Sequence, residues 1–284
     1  VAGTTRAALA AALLLLAGPI LAGCAGREAP SRPSGLSLDR FNGPFFDHVV
    51  MRKAAAEGAA PAGNGAGAPL HVYLESDGTP WIGGNRIAAD PTPRNPVMQR
   101  LLALDPAGGV VIGRPCHHGF ANARNCSPLL WTHQRFSGAV VRAMAAALQA
   151  ELAQSGRGGA ILIGYSGGGV LAMLLAARVP EVAGVITIAA PIDIDAWADL
   201  HDYSRLAGSI NPAAERPVDV PSVHVVGGRD DNVPPSLVRR VAGIWPRARV
   251  LEIEKADHAC CWERAWPALL GQAVAALGLT SEGG

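Results

Sequence analysis

The chain has 284 residues, 49% of them hydrophobic and 17% charged, with 24 Lys and Arg against 23 Asp and Glu for a formal net charge of +1. That is enough apolar material for one large core. The near-zero charge, with no basic run longer than Arg239-Arg240, offers nothing for tracking a nucleic-acid backbone, and no nucleic-acid partner is expected.

In chain order, Arg6 precedes the apolar run 7–17 and then Leu21-Ala22-Gly23-Cys24, the layout of a secretory signal: a basic end, a short apolar stretch and a small-residue cleavage site. The run is too short to span a bilayer as a permanent helix. Leu21-Ala22-Gly23-Cys24 resembles a bacterial lipobox, which implies cleavage before Cys24 and acylation of its thiol. The expected organisation is a signal peptide over 1–23, a lipid-anchored tether over 24–40, rich in Pro, Ser and Gly, and one domain over 41–284. The expected location is the bacterial cell envelope, with the membrane as partner through the anchor.

Cys116, Cys126, Cys260 and Cys261 then remain, an even number in a chain expected to reach an oxidising space, so disulfides are expected. The favoured pairs are Cys116 with Cys126 and Cys260 with Cys261, a cross-link between the two loops staying open. With no Cys-x-x-Cys and no ligand spacing around His117, His118 or His258, neither zinc nor any other metal is expected.

Apolar runs of strand length fall at 70–74, 110–112, 160–164, 184–189, 222–227 and 249–253, with an antiparallel edge strand near 48–51. Helical periods fall between them at 138–154, 168–178, 235–245 and 262–277. This alternation predicts an α/β fold, a mostly parallel sheet with helices on both faces. The irregular stretch 191–221, with Trp197, His201 and Tyr203, is too long for a plain connection and predicts a small cap over the site. The Gly-rich piece 58–67 reads as a surface loop.

The chemistry concentrates at Ile161-Leu162-Ile163-Gly164-Tyr165-Ser166-Gly167-Gly168-Gly169, a buried strand that runs through Gly-x-Ser-x-Gly into a helix. A sharp strand-to-helix turn needs small residues on either side of the serine, and it holds Ser166 out above the sheet edge. The following helix points its N-terminus at the same place, where backbone N–H groups favour developing negative charge. A phosphate loop would need Gly-Lys-Ser or Gly-x-Gly-x-x-Gly, and this turn has neither.

A serine hydroxyl is a weak nucleophile, so a base and an orienting acid are required downstream. His258 stands in the last loop before the last helix, after the strand at 249–253. Together with the turn Gly227-Gly228-Arg229-Asp230-Asp231-Asn232-Val233-Pro234, these motifs resemble, in order, those of the α/β-hydrolase superfamily. The resemblance runs from about residue 70 to the end.

It implies an α/β-hydrolase fold and a catalytic triad of Ser166, an aspartate and His258, with no cofactor. The Gly-x-x-Asp-x-x-Val-Pro pattern selects Asp230 when counted from Gly227 and Asp231 when counted from Gly228. Asp230 is preferred, with Asp231 as a cap of the helix that follows. The Gly167 N–H is the first expected oxyanion donor. Where relatives carry His-Gly-x, this chain has Glu75-Ser76-Asp77, which puts the second donor at the Asp77 N–H, with Ser76 or Gly78 as alternatives; the Asp77 carboxylate must then turn away from the oxyanion.

The expected activity is hydrolysis of an ester-like acyl bond in a small-molecule or lipid substrate, as in carboxylesterases and lipases. Trp131, Trp197 and Trp262 are candidates for an apolar acyl pocket. The disulfides are expected to brace the rim of this site. An acyltransferase or peptidase would use the same triad, and a non-catalytic binding scaffold is the alternative from another class.

Overall fold

The computed structural model describes residues 35–57 and 68–279. The signal segment, Cys24, the first part of the tether and the loop at 58–67 lie outside the described residues.

The described chain runs β1 (Ser37–Asn42), β2 (Asp47–Lys53), β3 (Leu70–Leu74), β4 (Trp81–Ile82), β5 (Arg86–Ile87), α1 (Val97–Leu104), β6 (Gly109–Ile112), α2 (Gly138–Ser155), β7 (Ala160–Tyr165), α3 (Gly167–Ala176), β8 (Val182–Ile188), α4 (Ile194–Leu200), β9 (Ser222–Gly227), α5 (Pro235–Ala242), β10 (Ala248–Ile253) and α6 (Trp262–Leu277). Eight strands form one sheet in the order β1-β2-β6-β3-β7-β8-β9-β10, and β4 and β5 make a separate small ribbon. β1 with β2 and β2 with β6 are antiparallel; every later pairing is parallel.

The expected mostly parallel α/β sheet is present, and the predicted strands and helices sit where the apolar runs placed them. β7 and β9 are buried along their whole length, because both of their faces are covered. Alternation divides the core in two. Val72, Leu74, Leu162 and Val185 pack with α2, α3 and α5 on one face. Tyr73, Ile161, Ile163 and Ile186 pack with α1 and α6 on the other. α3 has all ten residues buried, as suits a helix apolar all round and lodged centrally.

Several elements differ from the sequence reading. The 48–51 strand is antiparallel, but it lies inside the sheet, because β1 covers it; residues 37–40, expected in the tether, belong to that edge strand. β1 is exposed at five of its six residues and carries little apolar signal. α1 was not anticipated: it is short, starts after Pro96 and has no side-chain cap to announce it. Within the stretch read as a cap lies α4, whose first turn is capped by Asp193 accepting from the Ala196 N–H at 3.1 Å.

The connection from β3 runs outward to β6, and the next runs back past β3 to β7. The carboxyl ends of β3 and β7 therefore flank the point where strand order reverses, the place where an open α/β sheet has a natural crevice.

Candidate active site

Ser166 occupies that crevice, at the junction of β7 and α3, with φ 51° and ψ −123°. This left-handed backbone is costly for a residue with a side chain and persists only where its surroundings enforce it. The enforcement is steric and polar. A Cβ on Gly164 would overlap the Gly168 carbonyl, and one on Gly168 would overlap the Leu74 carbonyl at the end of β3. The Ser166 N–H donates to the Ile188 carbonyl at 2.8 Å, tying the turn to β8.

His258 arrives from the loop after β10. Its carbonyl accepts from the Tyr165 hydroxyl at 2.7 Å and from the Trp262 indole N–H at 3.1 Å, which fixes the loop against both the elbow and α6. Its Nε2 lies 3.2 Å from Ser166 Oγ, and its Nδ1 lies 2.9 Å from Asp230 Oδ2. With Nδ1–H donating to the carboxylate, Nε2 is left as acceptor for the serine proton. The other Asp230 oxygen accepts the N–H groups of Asn232 at 2.9 Å and Val233 at 2.7 Å. Asp230 is 2% exposed, whereas Asp231 faces solvent. Nor does Asp231 cap the next helix, since the N-cap of α5 is Pro234 and takes no side-chain bond.

The segment after β3 forms the opposite wall. The Asp77 carboxylate turns onto two guanidiniums, Arg114 Nη1 at 2.5 Å and Arg135 Nη1 at 2.8 Å. Burial pushes the Asp77 carboxyl up, but Arg135 and Arg114 outweigh it and hold the group below the usual aspartate value. Behind it Glu75 accepts from His118 Nε2 at 2.5 Å and Gln99 Nε2 at 3.0 Å. Burial lowers the His118 pKa and the Glu75 carboxylate more than reverses this, so that the net shift is upward. His117 donates from Nδ1 to the Pro115 carbonyl at 2.9 Å; burial, helped by the nearby Arg114 charge, takes its pKa down to about 4. His118 thus buttresses the 75–77 segment through Glu75, and neither histidine lines the cleft over Ser166.

The disulfides follow the favoured pairing. Cys116 is joined to Cys126, with Cα atoms 5.6 Å apart, and closes the loop that carries His117 and His118. Cys260 is joined to Cys261, directly after the His258 turn.

The cleft over Ser166 has a volume of about 390 Å³ and is walled by the 76–80 and 93–95 segments, Arg135, Tyr165, Trp197, Asn232 and His258. The stretch read as a cap does reach it. Trp197 Nε1 donates to the Asn232 side chain at 3.2 Å, and His201 Nε2 donates to the Asn232 carbonyl at 2.8 Å, pinning α4 to the Asp230 turn. Of the three tryptophans considered for a pocket, Trp197 alone lines the cleft. Trp131 and Trp262 are 3% and 1% exposed and belong to the core, because their rings close the layers on either side of the sheet. A larger cavity of about 760 Å³, lined by Lys53, His71 and Glu151 among others, lies at the amino ends of β3 and β6 and holds none of these groups.

Arg94, Arg114 and Arg135 were not anticipated as site residues. Arg114 and Arg135 come from the segments after β6 and before α2, and no local pattern in the sequence ties either to Asp77. Among the described residues, no group of three or more His, Cys, Asp or Glu is arranged to hold a metal ion.

No protein-family model matches the chain, and no curated protein matches its sequence. Solved structures do. A puromycin-hydrolyzing peptidase of Mycobacterium tuberculosis is 18% identical with a TM-score of 0.65, over 87% of this chain and 39% of that one. This chain therefore spans about two fifths of the length of that relative. An alpha-beta serine hydrolase homologue from Coxiella burnetii is 17% identical with a TM-score of 0.57, over 84% and 96% of the two chains. An esterase from Pyrococcus furiosus is 11% identical with a TM-score of 0.56, over 85% and 91%. At such identities the likeness speaks for the fold.

Proposed function

We propose that this chain, whose fold is that of the α/β-hydrolases, is a serine hydrolase that cleaves an ester-like acyl bond through an acyl-serine intermediate. The observation that carries the reading is the continuous line from Ser166 Oγ through His258 to a buried Asp230, with the serine held on a strained elbow. A binding scaffold has no use for all three groups in that order.

In the proposed cycle, Ser166 Oγ attacks the acyl carbon while its proton passes to His258 Nε2, and the carbonyl electron pair moves onto oxygen. The Gly167 N–H at the start of α3 and the Asp77 N–H receive that oxyanion. Collapse expels the alkoxide, which takes the proton from His258. A water deprotonated by His258 then attacks the acyl-serine, and Ser166 leaves with its hydrogen restored. Asp230 keeps Nδ1–H in place and offsets the charge of the transient imidazolium without itself taking the proton.

A fluorophosphonate probe should label the protein at Ser166, and p-nitrophenyl esters of graded chain length should be hydrolysed. Absence of both would leave a non-catalytic scaffold. Turnover of aminoacyl amides in preference to esters would make it a peptidase, and acyl transfer to an added alcohol in preference to water would make it an acyltransferase.

The reading includes export and anchoring at Cys24. Leu21-Ala22-Gly23-Cys24 supports it, and two disulfides are at home in an oxidising compartment. The full chain should partition into detergent, and Cys24→Ser should abolish this; partitioning unchanged by the substitution would remove the anchor.

A further inference from the structure

The walls of the cleft are unlike those of a site for long acyl chains. Among the described residues no Leu, Ile, Val, Met or Phe lines it; its apolar surface comes from Pro80, Pro93, Trp197 and the ring of Tyr165. A fatty chain of any length would find little surface to cover there.

Charge is distributed just as unevenly. Asp77 is the sole carboxylate among the described residues that line the cleft, and it is already shared by Arg114 and Arg135. That cluster carries one positive charge in excess. Arg94 adds a second from the rim, exposed and without a carboxylate partner among the described residues.

Arg135 is the more telling of the two. The side chain is 8% exposed, and its planar fork is anchored at two points, Nε to the Thr132 carbonyl at 2.6 Å and Nη1 to Asp77 Oδ2 at 2.8 Å. A guanidinium held at two of its nitrogens has the direction of the third fixed. Among the described residues Nη2 has no acceptor, yet the side chain is part of the cleft wall. Nη2 is therefore open to the cleft, and a cationic donor whose direction is fixed there suits an anionic oxygen best.

We propose that the cleft takes a compact substrate bearing an anionic oxygen group, carboxylate or phosphate, near its scissile acyl bond, with Arg135 Nη2 binding that group and Arg94 closing on it from the rim. The inference rests on the serine-hydrolase reading. It replaces the lipid substrate with a small charged one, and it gives Arg135 two tasks, holding Asp77 and reading the substrate.

The test uses the purified full chain and two matched substrate pairs. In one the charge is on the acid side, the mono-p-nitrophenyl ester of adipic acid against its methyl ester. In the other it is on the alcohol side, 3-acetoxybenzoate against methyl 3-acetoxybenzoate. In at least one pair the anionic member should be favoured by about tenfold or more in kcat/KM, through a lower KM, which corresponds to about 1.4 kcal/mol. Arg94→Gln and Arg135→Lys should each shrink that ratio, and raised salt should shrink it too. Succinate and inorganic phosphate as competitive inhibitors tell the two anions apart, the stronger naming the group. If the fluorophosphonate still labels the protein while the neutral member is equal or better in both pairs, the anionic substrate is overturned and the hydrolase stands. If labelling and turnover both fail, the hydrolase reading falls and takes this inference with it.

Discussion

Asp77 Oδ1 occupies the space that a Cβ on Gly167 would need, so the carboxylate after β3 and the first residue of α3 are in direct contact across the site. The contact places the Arg114–Asp77–Arg135 cluster immediately beside the residue proposed as first oxyanion donor. Gly167→Ala should therefore displace either the carboxylate or the elbow and lower turnover at least 100-fold, the scale of losing one oxyanion donor. Gly271→Ala is the matched control. It is exposed on α6, nothing stands within 4 Å of its added Cβ, and it should stabilise the fold by about 0.5–1 kcal/mol with turnover intact. Equal turnover in the two variants would remove the role given to this contact.

The two adjacent aspartates should separate cleanly. Asp230→Asn keeps the shape of a buried side chain but turns the His258 tautomer, and kcat should fall by about 10⁴-fold. Asp231→Asn alters an exposed group and should leave kcat within a factor of two or so of the parent. Steady-state kinetics on one p-nitrophenyl ester decides it, and the reverse ranking would move the acid by one residue.

Stability should fall on mild acidification, before the carboxylates titrate. His224, in β9, lies between the Thr187 hydroxyl at 2.8 Å and the Ser222 hydroxyl at 3.2 Å, and burial takes its pKa down to about 4, the value also reached by His117. A histidine whose pKa is lower in the folded state binds its proton more readily when unfolded. Its neutral form therefore favours the fold above the unfolded value of about 6.5, and that contribution drains away as pH falls toward 4, on the order of 3 kcal/mol for each group. His118, which Glu75 shifts upward against its burial, opposes the trend, and His48, lowered by burial, adds to it. Urea unfolding at pH 7, 5.5 and 4.5 should show the decline; a flat profile would mean that these imidazoles are not held neutral.

The Cys116–Cys126 bond closes the loop bearing His118, whose ring holds Glu75. Replacing both cysteines by serine should cost about 2–4 kcal/mol in unfolding free energy. Turnover should fall as well, because Glu75 loses a fixed backing. Unchanged turnover in a protein with a lowered Tm would confine the bond to a purely structural part.

Local pattern was sufficient wherever the determining forces were local. β3, β7 and β9 are apolar runs whose burial on both faces follows from composition alone, and α6 begins at Trp262 and ends at Leu277 as its periodicity indicated. The elbow around Ser166 was legible because its constraint, small residues two places either side of a serine, acts over five residues. What the sequence left open was decided at long range. Two registers of one turn offered Asp230 and Asp231, with Asp230 preferred, and it is Asp230 that is buried and bonded to His258. β1 is too exposed to announce itself and exists because the β2 edge needs hydrogen-bond partners. The arginines were beyond any window: Arg114 and Arg135 stand 37 and 58 residues from Asp77, and periodicity cannot encode which charges meet. Hydrophobic pattern determined which segments would be buried. Only closing the sheet brought together the ends of β3, β6 and β7, and ion pairs that form over a few ångströms could be chosen only once the fold had set those distances.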